Sequence, residues 1–421
     1  MFRLLGRSSK VGAVWDDDDE EDDGEEIEEE TKSTLPMYVV QLHTLIKRYG
    51  GQRYPKVDSY EAFSKRGELI IWKYIPAGST VIFISHEWTS TNDPDPDGNQ
   101  MFHLLTLFER LRQGMIHRTD MNALHSLIYK HNHTTTAEEW KHMLSSNKTF
   151  VWYDGFCIPK SRREDRIQSI PIFMRRCNFT IILSPGCSHS NRIDPRTQRK
   201  INLCYRTYRL RARCVFEMFC AFLITKGGEN AKPILLVRSG TGFPNWISPL
   251  ECQKLAVGMS SFECCDSNHE FIRDCRRPIY HTILVRMINS RVRSIFLLSG
   301  NFAVARISIS LTNYWCRGLL TDQTLRRSWN SLLHYRKDLR WKEPIDQKRV
   351  CRDGFPLLFY AALTDCINLV RDVLEDVNID IDAQVPRAGR FSLSPFKHTH
   401  THTHTFTHLL SSHPITTTMQ G

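Results

Sequence analysis

Nowhere does the chain offer the roughly 18 uninterrupted apolar residues that a membrane-spanning helix needs, so no membrane span is expected. The opening MFRLLGRSSKVGAVW has too short an apolar run for a secretory signal. None of the thirteen cysteines falls in a CxxC pair, which removes the commonest redox and zinc-finger spacings. An odd number of thiols without such pairing points to a reducing, cytoplasmic setting with most thiols buried. No Walker loop and no GxGxxG stretch is present, which excludes those two phosphate cradles. His86-Glu87 does not begin an HExxH motif, because Trp88, Thr89 and Ser90 follow it. Cys264, Cys265, His269 and Cys275 lie close in sequence, but adjacent cysteines do not fit finger spacing, and no metal is expected.

Charge is abundant and unevenly placed. Residues 16–30, DDDDEEDDGEEIEEE, hold thirteen acids and no base; against the net +10 of the whole, the remainder carries +23. That block cannot bury apolar area and reads as a solvated arm spanning 1–36, free to fold back on the basic body. A basic body favours anionic partners such as phosphates, nucleotides, nucleic acid or acidic lipid. Aromatic residues are sparse in the basic stretches, so nucleic acid is not the expected partner.

With 41% hydrophobic residues in 421, the chain can build two or three packed units. After a lead-in at 37–77, the stretch 78–240 alternates strand-like and helix-like runs. VIFIS (81–85), FVWYD (150–154), FTIILS (179–184) and PILLV (233–237) are continuously apolar, as strands covered on both faces are. Amphipathic helical stretches separate them; QMFHLLTLFERLR (100–112) places Met101, Leu104, Leu105, Phe108 and Leu111 on one face. Ile170-Pro171 suggests a helix start or kink. The pattern predicts an α/β fold with a parallel sheet flanked by helices. Ligands of such sheets bind beyond the carboxyl ends of the strands, where Ser85, His86, Trp88, Asp154 and Ser184 fall. A mainly helical extension (241–345) follows, then a helix pair (350–385) with apolar Leu357, Leu358, Ala361, Ala362, Leu369, Val370 and Leu374. One such pair is a single unit of a stacking repeat and must dock on a neighbour. The tail 386–421, rich in His-Thr, is low-complexity.

One helix stands out: RARCVFEMFCAFLI (211–224) sets Glu217 among Val215, Phe216, Met218 and Phe219, off the stripe formed by Val215, Met218, Phe219 and Phe222. A carboxylate there lies at the rim of a cleft or pairs with a cation, and Arg213 stands one turn earlier.

VIFISHEW with PDPDG, FVWYDGFCIP, SIPIFMRRCNFTIILSP and RARCVFEMFCAFL resemble, in order and spacing, the Toll/interleukin-1 receptor (TIR) domain, in a variant associated with microbial eukaryotes. The family's tryptophan before the cysteine is Arg213 here. SSFECCDSNHEFIRDC resembles a segment that follows such domains, and 353–383 resembles one degenerate ankyrin repeat. The resemblance implies a TIR-like, flavodoxin-like fold. It also implies one of two functions, cleavage of the nicotinamide-ribose bond of NAD or non-enzymatic signalling by protein association. In the first, NAD is substrate rather than cofactor, Glu217 is catalytic, and Ser85, His86, Trp88, Asp154 and Cys214 line its site. In the second, the domain self-associates and the ankyrin-like pair offers a partner surface. Cys157 and Cys214 carry no local signature of a nucleophile.

Overall fold

The computed structural model describes residues 35–129, 132–162, 166–194, 196–226, 230–262, 275–299, 302–320, 332–340, 357–364 and 366–375. The acidic block, the Cys264-Cys265-His269 cluster and the low-complexity tail lie outside these residues.

Its centre is a seven-stranded mixed sheet flanked by helices. In chain order the strands are β1 (Tyr38–Gln41), β2 (Leu69–Ile71), β3 (Thr80–His86), β4 (Thr149–Trp152), β5 (Phe179–Leu183), β6 (Ile234–Val237) and β7 (Asn245–Ile247). Across the sheet they run β7-β6-β5-β3-β4-β1-β2. The four apolar runs are the parallel centre: β3 pairs with β4 through Val81↔Phe150 and with β5 through Ile84↔Ile181, and β6 pairs with β5 through Leu235↔Ile181. All of β4, β5 and β6 and all but the first residue of β3 are buried, as helices on both faces require. Counted from β3, the parallel order is second, first, third, fourth, consistent with a flavodoxin-like sheet whose switch point lies between β3 and β5.

Three strands extend the sheet beyond 78–240. β1 and β2 come from the lead-in and pair antiparallel with each other, and β1 with β4. β7 pairs antiparallel with β6 at the opposite edge. Each has only three or four residues, too few for a period to register.

The helices that matter here are α1 (Asn99–Arg112), α2 (Arg166–Arg176), α3 (Ala212–Leu223), α4 (Arg277–Ser294), α5 (Phe302–Ser310), α6 (Leu357–Ala362) and α7 (Ile367–Glu375). Pro171 sits inside α2, not at its start. In α3 every residue except Arg213 is buried. A helix apolar all round must be covered all round. The sheet side and α2 take one flank; α4 and the 3-10 turns Pro249–Lys254 and Val257–Met259 take the other. Phe216 meets Tyr280 edge-on at 4.9 Å between centroids, and Trp315 packs against Phe219 and Phe222. Glu217, 1% exposed within this covered helix, is therefore no rim residue.

α6 and α7 form the expected pair, with α6 on α5 and α7 on the helix Leu332–Asp338. Leu357, Ala361 and Leu369 are buried, but Ala362 and Leu374 are exposed; Tyr360 and Val373 fill the inward positions instead.

Part of the basic excess works inside the protein. Lys232, Arg291 and Arg306 are buried, and each donates to carbonyls at a helix carboxyl end, where the partial charge is negative. Lys232 Nζ bonds the carbonyls of Met174 and Arg175 in the last turn of α2 and of Cys177 just past it. Arg291 Nη1 reaches Phe222 O in α3 at 2.8 Å, and Arg306 Nε reaches Leu339 O at 2.9 Å.

Candidate functional site

β3 ends in Ser85-His86 and runs into Glu87-Trp88; β4 is followed by Tyr153 and by Asp154, which opens the helical turn Asp154–Cys157. The PDPDG loop then folds back. Thr89 N–H bonds Pro94 O at 3.0 Å, and Asp95 Oδ2 accepts from Met101 N–H at 2.8 Å to start α1. Gly98 is left-handed there (φ +66°), and a Cβ would meet Pro55 O at 2.4 Å, so only glycine fits. These elements converge with the first turns of α3 beyond the carboxyl end of β3, beside the switch point.

Five of the six expected residues form one hydrogen-bonded cluster around Arg213. Arg213 Nε donates to Glu217 Oε1 at 3.0 Å, and its Nη2 donates to Asp154 Oδ2. Ser85 Oγ donates to Glu217 Oε2 and lies 2.5 Å from Tyr208 Oη. Since the Ser85 proton is committed, Tyr208 is the donor in that second bond. Asp154 also accepts from His86 Nε2 at 2.9 Å and from Trp88 Nε1 at 3.0 Å. Gln100 Nε2 donates to Glu87 O, which turns its oxygen toward His86 Nδ1 at 2.7 Å. Both ring nitrogens of His86 are held within the cluster, Nε2 by Asp154 and Nδ1 by Gln100. The ring is stacked on Tyr153 at 4.5 Å.

Burial is nearly complete: Glu217, Asp154, Ser85 and His86 are each 1% exposed. Desolvation alone would lower the Arg213 pKa, but the charges of Asp154 and Glu217 outweigh it and hold the guanidinium well above its ordinary value. The sixth residue, Cys214, donates its thiol to His86 O at 3.7 Å. Burial, then the charges of Glu217 and Glu87, push that thiol well up, and burial does the same to Cys157. Neither is a thiolate nucleophile, and the His86 ring is engaged elsewhere.

An outer layer repeats the pairing. Glu87 accepts from Thr207 Oγ1 at 2.7 Å and faces Arg211 Nε at 3.6 Å. Between the layers lies a cleft lined by His86, Glu87, Trp88, Arg211, Arg213 and Tyr280, among others, with a volume of about 40 Å³. Small-molecule sites usually offer about 300–1,000 Å³, so this cleft takes a few waters and no dinucleotide.

Sequence reasoning missed Gln100 and Tyr208. A signal existed for Gln100, which heads the stripe of Leu104, Leu107 and Leu111 and so had to be buried. Tyr208, in the four-residue helix Tyr205–Tyr208, had none. Among the described residues no cluster of three or more His, Cys, Asp or Glu could hold a metal. No helix among them is long and apolar enough to cross a membrane. Fold and site together define a doubly wound α/β protein with a closed charge network at its switch point. Comparison with protein-family models, curated proteins and solved structures finds no match.

Proposed function

We propose that the α/β unit is a TIR-like domain working as a non-enzymatic interaction module of a cytoplasmic signalling protein. It self-associates, and the ankyrin-like pair α6–α7 offers a further protein surface. One observation carries the choice over catalysis: all four oxygens of Glu217 and Asp154 are engaged within the protein, by Arg213, Ser85, His86 and Trp88. A carboxylate so held is paired with the Arg213 guanidinium, and neither Glu217 nor Asp154 lines the cleft where a substrate would sit. Light scattering of the full chain over a hundredfold range of concentration tests association, and incubation with NAD at the highest concentration tests chemistry. Concentration-dependent mass without nicotinamide release is the expected result.

A second reading, NAD cleavage, is favoured by the convergence of Ser85, His86, Trp88, Asp154, Cys214 and Glu217 at one strand end, with His86, Trp88 and Cys214 lining the cleft there. Breaking the nicotinamide-ribose bond builds oxocarbenium-like charge that a fixed carboxylate can stabilise. It requires Arg213 to leave Glu217 and the cleft to open. Nicotinamide release by the full chain, lost about a hundredfold in Glu217→Gln, would establish this reading and end the first.

A further inference from the structure

The segment Cys187–Arg213 holds eight bases and one acid, and the structure sorts them by direction. The last three arginines point inward to carboxylates: Arg209 to Glu251 at 3.2 Å, Arg211 to Glu87, and Arg213 to Asp154 and Glu217. The earlier bases ride on an antiparallel hairpin, Cys187–Ile193 with Lys200–Leu203, and on the short helix packed against its second strand. Arg196, Arg199, Lys200 and Arg206 are exposed, and among the described residues none of the four pairs with a carboxylate. The one acid, Asp194, is used by the turn, its Oδ1 accepting from Arg196 N–H at 2.8 Å and Thr197 N–H at 3.4 Å.

The hairpin is anchored. Ser190 N–H bonds Thr89 O at 2.7 Å, and buried His189 accepts from the N–H groups of Asn191 and Arg192 through Nδ1. Its turn (Arg196, Arg199), its second strand (Lys200) and the adjoining short helix (Arg206) present four like charges, an arrangement that repels itself and attracts a polyanion.

We propose that this hairpin is the docking surface for the chain's own acidic segment, residues 16–30. Thirteen acids without a base are its charge complement. The segment is tethered: residue 30 lies five residues before Leu35 and residue 16 lies nineteen before it, reaches of roughly 17 and 65 Å when extended. Tethering sets an effective concentration in the millimolar range, so individually weak exposed ion pairs suffice for occupancy. The contact is electrostatic and reversible by salt, and it covers a basic surface beside the cleft without involving the Arg213 cluster.

The test uses the full chain and trypsin, which cuts after Arg196, Arg199 and Lys200. At about 50 mM salt these sites should resist cleavage. They should open roughly tenfold faster in a variant whose acids at 16–23 are changed to the matching amides, and in wild type near 0.5 M salt, where the Debye length falls to about 4 Å. Excess synthetic peptide 14–32 should restore protection to the amide variant. Carbodiimide should join Lys200 to a carboxylate of 16–30 within one chain. Equal cleavage of wild type and amide variant, or no such cross-link, overturns the proposal. So does a random 20-base-pair DNA duplex that protects both proteins alike, because the hairpin would then be a nucleic-acid contact.

Discussion

Glu217→Gln separates a structural carboxylate from a catalytic one by the sign of its effect on stability. The amide keeps the shape and still accepts from Ser85, but it loses the charge facing Arg213, and one orientation sets an N–H₂ against Arg213 Nε–H. Breaking a buried pair costs about 3–5 kcal/mol. Arg213 keeps Asp154, and its side chain is 14% exposed, so the expected loss lies near the lower end, about 3 kcal/mol. At 2–4 °C per kcal/mol for a unit of 150–250 residues, the midpoint should fall by roughly 6–12 °C. Arg213→Met should cost as much or more, since it leaves two carboxylates buried without their shared cation. Because both changes break the same pair, the double variant should fall short of the sum by about 1–3 kcal/mol. Urea titration followed by tryptophan fluorescence reads all three. A Glu217→Gln protein as stable as wild type, or more stable, refutes the reasoning. A carboxylate held at a cost to stability is the mark of a functional site, and the NAD reading would then lead.

Two further outcomes follow from other buried charges. Lys232→Met removes the ammonium from the carbonyls of Met174, Arg175 and Cys177 and should cost about 2–3 kcal/mol in the same titration; a loss under about 0.5 kcal/mol would show that these carbonyls find other donors. Glu251 is buried, which alone would raise its pKa, but the hydrogen bond and charge of His125, the charge of Arg209 and the hydroxyl of Tyr205 together hold it below 4.5. A lowered folded-state pKa contributes stability that is present above the unfolded value and is lost as pH falls through the folded one. Stability of wild type should therefore drop below about pH 4.5 more steeply than that of Glu251→Gln, and parallel acid limbs would exclude the linkage.

The four parallel strands and the strand-end position of Ser85, His86 and Asp154 were legible in the chain. Continuous apolar runs and the residues that end them are local properties, and burial on both faces leaves a local mark. Gln100 was legible in principle, as a polar residue at the head of an apolar stripe. β1, β2 and β7 were not, because three or four residues carry no period and edge pairing depends on partners far along the chain. The fate of Glu217 was the least legible. Sequence could say that a carboxylate among bulky apolar residues needed a cation or a cleft, and it placed Arg213 within reach. The i,i+4 pair is worth only about 0.2–0.5 kcal/mol on an exposed helix, which made it a poor explanation by itself. Tertiary structure changed that weight by covering α3 with α4 and the turns at 249–259, and by bringing Asp154 from 59 residues away onto the same guanidinium. Burial strengthens a charge pair and makes an unpaired charge costly, and burial is a property of the assembled layers that no single helix encodes.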